Sequence, residues 1–227
     1  MEIPGEVAVM TLSNATLFPQ ALLPLYIFEP RYRRMLSDAL RTHRMFSVSM
    51  QKPGRTRETP STVAGLGLVR VSVDNTDGTS HLILQGITRV ELVEVVRYKP
   101  YRVHRIRPLV AAPAPGANLD AMVATIRNLV TERIGMGFPS GIALSGKSSG
   151  GKFKKNGAPS MSAREIICYL EKLTDPDQVA DLVSCAMLAG PVERQTILET
   201  VDVEARLKHL IRFLLTDIDQ RKNLLLP

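Results

Sequence analysis

Apolar and polar residues alternate with a period of two through much of the first 110 positions and recur at helical spacing afterwards. Glu6–Leu12 (EVAVMTL) sets Val7 and Val9 on one face, and Phe46, Val48 and Met50 alternate likewise after a basic turn. Val63–Val73 (VAGLGLVRVSV) puts Val69, Val71 and Val73 on one side, with Gly65 and Gly67 predicting a bulge or bend. Asp74-Asn75-Thr76-Asp77-Gly78 predicts a hairpin into His81–Leu84, because Asp-Gly supplies the positive φ of a tight turn. Arg89–Arg97 and Tyr101–Arg107 alternate again on either side of Lys99-Pro100. In the second of these, Tyr101, Val103, Arg105 and Arg107 share a face opposite Arg102, His104 and Ile106. Short strands this closely spaced predict a small, partly closed antiparallel barrel.

One helix interrupts the strands. Glu29-Pro30-Arg31 opens it, since proline at the first helical position gives up an N–H that would be unpaired there anyway. Phe28, Tyr32, Met35, Leu36, Ala39 and Leu40 form its apolar stripe. At residues 111–118 (AAPAPGAN) two prolines and a glycine make a linker, and the rest reads as helix or loop. Helices are expected over Leu119–Ile134, over Ile166–Lys172 behind the capping box Ser162-Ala163-Arg164-Glu165, and from Asp175 to the neighbourhood of Gly190-Pro191. A last helix is capped by Asp202 and carries Leu207, Leu210, Ile211, Leu214, Leu215 and Ile218 as one stripe. The fold class is therefore α+β: an N-terminal antiparallel pseudo-barrel with one inserted helix over 1–110, then a helical bundle over 111–227. Residues 137–161 hold six Gly, five Ser, four Lys and two Pro, a composition that reads as a long flexible loop between two helices.

Composition narrows the function classes. The 227 residues are 44% hydrophobic and 22% charged, too apolar for a disordered chain. No apolar run approaches the ~18 residues of a membrane span, and the N-terminus lacks a basic n-region, so no membrane association and no signal peptide are expected. Two cysteines, Cys168 and Cys185, suit packed thiols in a reducing cytoplasm better than a disulfide framework. Residues 1–110 carry 15 Lys and Arg against 9 Asp and Glu, and the remainder 14 against 13, so the basic excess of the chain sits in its first half. Basic residues interleaved with Tyr98 and Tyr101 raise a nucleic-acid reading. Arginines spread over one exposed strand face explain them at lower cost, and nucleic acid is disfavoured.

Two short motifs fall inside the 137–161 loop. Gly141–Ser148 matches G-x-x-x-x-G-K-S, but neither a strand before it nor a helix after it is readable, and a phosphate loop needs both. Gly146-Lys147-Ser148-Ser149-Gly150 matches G-x-S-x-G, yet only His209 lies downstream, on an ordinary amphipathic helix. The rival reading, a nucleotidase or serine hydrolase using 141–150, rests on these matches alone. His43, His81, His104 and His209 are not at ligand spacing, so no metal site is expected.

A longer string is more specific. Leu17–Tyr32 (LFPQALLPLYIFEPRY) closely resembles the opening of the Lon protease N-terminal domain family, whose pattern leads from a first strand into a first helix. Gly86, Arg89 and Val90 resemble its "G..R..I" strand, and Leu198–Leu207 (LETVDVEARL) its "LLE..D..ERL" junction. The resemblance runs from about residue 5 to 218, with the 137–161 loop its main departure. It implies a barrel followed by a helical bundle. It also implies a stand-alone substrate-binding domain without the AAA+ and peptidase parts, hence no catalytic residues and no cofactor. The expected partners are unfolded or extended polypeptide segments, a separate protease or chaperone, and further copies of the chain as a homo-oligomer. Leu23, Leu25, Tyr26 and Phe28 are the candidate peptide-binding residues.

Overall fold

The structure, a computed structural model, describes residues 2–55, 57–111, 117–137 and 163–225. Its packing separates two compact units, Met1–Val110 and Ala111–Pro227.

Six strands are seen among the described residues of the first unit: β1 (Glu6–Leu12), β2 (Leu22–Ile27), β3 (Met45–Met50), β4 (Val63–Asp74), β5 (Ser80–Arg97) and β6 (Arg102–Leu109). Helix α1 (Pro30–Leu40) lies between β2 and β3. The sheet runs β2-β5-β4-β3-β1-β6, and a further β5–β6 pairing closes five of the strands into a barrel. β5 makes the closure: its first half pairs with β2, its second half with β6. The two strands expected at His81–Leu84 and Arg89–Arg97 are thus one, continuous through Gly86. Gly86 sits where a Cβ would run into the carbonyl of Phe18, and its N–H and C=O bond Ala21 and Gln20 at 2.8 Å each. The expected all-antiparallel pairing needs one correction. β1 and β3 are parallel, because the chain between them passes through β2 and α1 and returns in the same direction.

Two apolar clusters explain the alternation. Val7, Val9, Met45, Ala64, Leu66, Val90, Leu92 and Ile106 form one, joined by residues from β1, β3, β4, β5 and β6. Met10, Phe46, Val48, Val69, Leu82 and Leu84 meet Tyr32, Met35, Leu36 and Ala39 of α1 in the other. β3 serves both and is buried at every position. Tyr32 is tied in further, its hydroxyl accepting from the Thr11 N–H at 3.2 Å. Phe28, expected on the stripe of α1, is instead 59% exposed. β2 itself was hidden from the pattern, because Pro24 interrupts it.

Among the described residues of the second unit are α2 (Ala117–Gly135), α3 (Ala163–Lys172), α4 (Pro176–Met187), α5 (Pro191–Glu199) and α6 (Val203–Leu225). Asp175 caps α4 by accepting from Asp177 N–H at 3.0 Å, and Asp202 caps α6 by accepting from Ala205 N–H at 2.8 Å. Gly190-Pro191 ends the segment of α4 and also starts α5, a separate helix that the sequence expectation does not contain. On α6 Leu207, Leu210, Leu214 and Ile218 are buried while Leu215 faces out, so the stripe is narrower than expected. The linker prolines, the 138–161 part of the Gly/Ser/Lys-rich segment with both short motifs, Ser162 of the capping box and the Leu226 end lie outside the described residues. Among the described residues no helix is long and apolar enough to cross a membrane.

Candidate functional site

β2 pairs with β5 on one side, and no described strand pairs with its other edge. The Ala21 carbonyl accepts from Gly86 of β5. Backbone groups of successive strand residues point to opposite edges, so Leu23, Leu25 and Ile27 pair with β5 while Leu22, Pro24 and Tyr26 turn to the open edge. Pro24 has no N–H to leave unpaired there, the setting in which a strand tolerates proline.

The side chains alternate with the same period, and this divides the four predicted residues. Leu23 and Leu25 point inward and pack, partly buried, against the α1-side cluster. Tyr26 and Phe28 point outward, 48% and 59% exposed. Register then reveals what lies beside them. Pro24 stands opposite Ile83 of β5, which stands opposite Val71 of β4; Tyr26 stands opposite His81, which stands opposite Val73. Neighbouring strands lie about 4.8 Å apart, so the six side chains form two continuous rows across three strands. Val71, Val73 and Ile83 are 47%, 57% and 36% exposed. The Tyr26 ring lies 4.7 Å from that of His81 and 5.9 Å from that of Phe28, and its hydroxyl donates to Thr79 Oγ1 at 3.2 Å. The outcome is a fixed apolar and aromatic face, with Arg70 bonded to Gln85 at one end.

Val71 and Val73 contradict the pattern-based expectation that they share the buried side of Val69. The pairing of β4 with β5 slips between Val69 and Val71, so one extra residue, Arg70, turns the strand over. Val69 is 2% exposed and enters the core, whereas the two later valines leave it. A bulge at the glycines, between Leu66 and Gly67, was legible in the sequence; this second one was not.

Among the described residues the histidines and cysteines assemble no reactive constellation. His43 Nδ1 accepts from Met45 N–H at 3.0 Å, and burial lowers the pKa of its ring. His104 is buried, and His209 lies near Arg212 and Phe213 on α6. Among the described residues no group of His, Cys, Asp and Glu is arranged to hold a metal. Both cysteines are free. Cys168 is exposed, against the expectation of a packed thiol, while burial raises the thiol pKa of Cys185.

The second unit places its charges inside. Arg206 is 1% exposed and donates to the carbonyls of Thr200 and Val201 at 2.8 Å each, and it pairs with Asp177 and Asp181. It thereby joins the α5–α6 turn to α4. Arg133, equally buried, binds Asp217 of α6 and donates to the Gly137 carbonyl at 2.7 Å. These are structural anchors for helix ends, whose carbonyls otherwise lack partners.

Comparison with known proteins assigns the scaffold. Residues 6–216 match the family model of the ATP-dependent protease La (LON) substrate-binding domain. Lon protease from Dictyoglomus thermophilum is 22% identical over 223 residues, and that from Phenylobacterium zucineum 26% over 216. The alignments cover 96% and 93% of this chain but 25% of each relative, so the chain spans about a quarter of their length. The N-terminal domain of Mycobacterium avium complex Lon protease superposes with a TM-score of 0.69 at 18% identity, over 92% of this chain and 97% of that one. A Lon N-terminal domain protein from Xanthomonas campestris gives 0.63 at 17%, over 92% and 98%. With the matched model spanning nearly all of both units, the chain belongs to the Lon substrate-binding domain family.

Proposed function

We propose that this chain is a non-catalytic polypeptide-binding module that takes extended, apolar segments of unfolded proteins on the outer face of β2, β5 and β4, and presents them to a protease or chaperone. The observation that carries the reading is the registered row of exposed apolar side chains beside an unpaired strand edge. Each large apolar side chain that a ligand covers contributes roughly 1.5–3 kcal/mol on full burial, and a strand laid along β2 adds main-chain hydrogen bonds. Pro24 removes one donor from that edge. This limits backbone-only pairing and leaves the discrimination to Tyr26, Phe28 and their neighbours. The family membership supports the same ligand class.

The test is retention of a chemically unfolded model protein on the immobilised chain, compared with its native form. Selective retention of the unfolded form is expected, and replacing Tyr26 and Phe28 by alanine should abolish most of it. Equal retention of both forms, or none of either, would sink the proposal.

A further inference from the structure

The connection between β3 and β4 folds back over one end of the barrel. Lys52 N–H donates to the Thr59 carbonyl and Ser61 N–H to the Met50 carbonyl, both at 2.8 Å. The Gln51 amide braces the hairpin from within, donating to the Arg57 carbonyl and accepting from Thr59 N–H at 2.8 Å each. Gly54, at φ +71°, makes its tip. Between this hairpin and the strands opposite is a cleft of about 450 Å³. Its far wall comes from the end of β5, Tyr98 and the start of β6.

The charges of the cleft are unequally spoken for. Glu58 is shared by two arginines, Arg31 and Arg102, and Glu94 is paired with Arg105 at 2.7 Å. Lys52 and Arg57 make no ion pair among the described residues. Arg102 lies with its guanidinium carbon 5.2 Å from the Tyr98 ring centre and donates to the Glu58 carbonyl at 2.6 Å. Deeper, His104 lines the cleft, only 5% exposed, and its Nδ1 has no hydrogen-bond partner among the described residues. Burial and then the Arg102 charge lower the pKa of the His104 ring below its ordinary value.

We infer that this cleft is a second subsite that receives a single carboxylate carried on an extended polypeptide, with the adjoining apolar side chain against Leu92, Val93 and Tyr98. The lining holds three cations, Lys52, Arg57 and Arg102, against two carboxylates, Glu58 and Glu94. That balance suits one negative charge, whereas a phosphate, with nearly two, meets both glutamates. The apolar wall suits a side chain next to the carboxylate. The inference rests on the polypeptide-binding reading for the nature of its ligand, but the subsite is separate from the outer face of β2, β5 and β4.

Three fluorescein-labelled ten-residue peptides of one apolar sequence test it by anisotropy on the full chain. One ends in a free carboxylate, one is amidated, and one is amidated with glutamate at the penultimate position. A charge-assisted contact predicts about tenfold or tighter binding of at least one acidic peptide over the plain amide, and the pair of acids tells a chain end from an acidic side chain. The double variant Lys52→Gln/Arg57→Gln, altering two side chains without ion pairs, should erase the difference while leaving the circular dichroism spectrum unchanged. The inference is overturned if the amide binds as well as both acids, or if the double variant retains the preference. Displacement of the peptide by inorganic phosphate at concentrations where acetate has no effect also overturns it. Tyr26→Ala/Phe28→Ala separates the two readings: it should weaken all three peptides alike. If it has no effect while the carboxylate preference persists, the outer face is dismissed and the cleft stands. Failure of all three peptides to bind overturns both.

Discussion

The two units differ in their largest departures from the usual burial rule, although the barrel also buries Arg89 and His104 and the helical unit exposes Val192 and Leu215. The barrel unit leaves Tyr26, Phe28, Val71, Val73 and Ile83 in water on one sheet face, while the helical unit draws Arg133, Arg206 and Asp181 out of it. Each departs from the usual rule for a different reason. The barrel has already filled its cores with the opposite faces of the same strands, so its outer valines and aromatics are surplus to folding and available for contact. The helical unit has helix ends close together, and a buried guanidinium can satisfy several carbonyls and carboxylates at once. On the proposed reading, surplus apolar surface is where the molecule meets others, whereas buried charge is where the helical unit holds its helix ends together.

If that contrast is right, substitutions in the two regions separate stability from binding. The largest stability effect is expected from Arg206→Ala, which takes the guanidinium away from Asp177 and buried Asp181 and its N–H donors away from two carbonyls; about 3–5 kcal/mol should be lost in urea unfolding. Loss of less than about 1 kcal/mol would mean the arginine is dispensable and the contrast misdrawn. In the barrel, Gly86→Ala forces a methyl against the Phe18 carbonyl and should cost on the order of 1–3 kcal/mol, with the barrel strands showing faster amide exchange. On the outer face, Tyr26→Ala/Phe28→Ala should change the unfolding free energy little, by about 0.5 kcal/mol per site or less, yet lose retention of unfolded protein. A large destabilisation there would turn these residues back into core.

The smallest effect concerns pH. Burial pushes the Asp217 carboxyl up, but hydrogen bonds from Arg133 and Arg221, with their charges, outweigh it and hold the group below the usual aspartate range. A depressed native pKa stabilises the fold above the unfolded value, near 3.9, and the contribution fades as pH falls through the lower native one. The urea midpoint of the helical unit should therefore drop as pH falls below about 5, and Asp217→Asn should flatten that drop. An unchanged slope would remove Asp217 from the helix anchor.

Much of the fold was legible where side-chain period and burial agree. The strand at Glu6–Leu12, the strand expected at Tyr101–Arg107 and found at Arg102–Leu109, the proline start of α1 and the Asp175 and Asp202 caps follow from local rules that tertiary structure leaves alone. β2 escaped because a proline strand at an open edge looks like a loop. Of the four candidate residues Tyr26 and Phe28 lie on the exposed face, whereas Leu23 and Leu25 turn inward, a division that follows at once from β2 being a strand. Ile83, Val71 and Val73 could not be added, because they reach the face only through cross-strand register.

The sequence by itself determined the α+β class, the family and the segment around which the candidate face is built, since local periodicity and a long matching string carry those. Only the tertiary structure decided which of those residues point outward, that β1 and β3 run parallel, and that the late valines of β4 leave the core. Strand pairing and a one-residue slip are relations between distant segments, and because side chains alternate with a period of two, a single extra residue exchanges inside for outside.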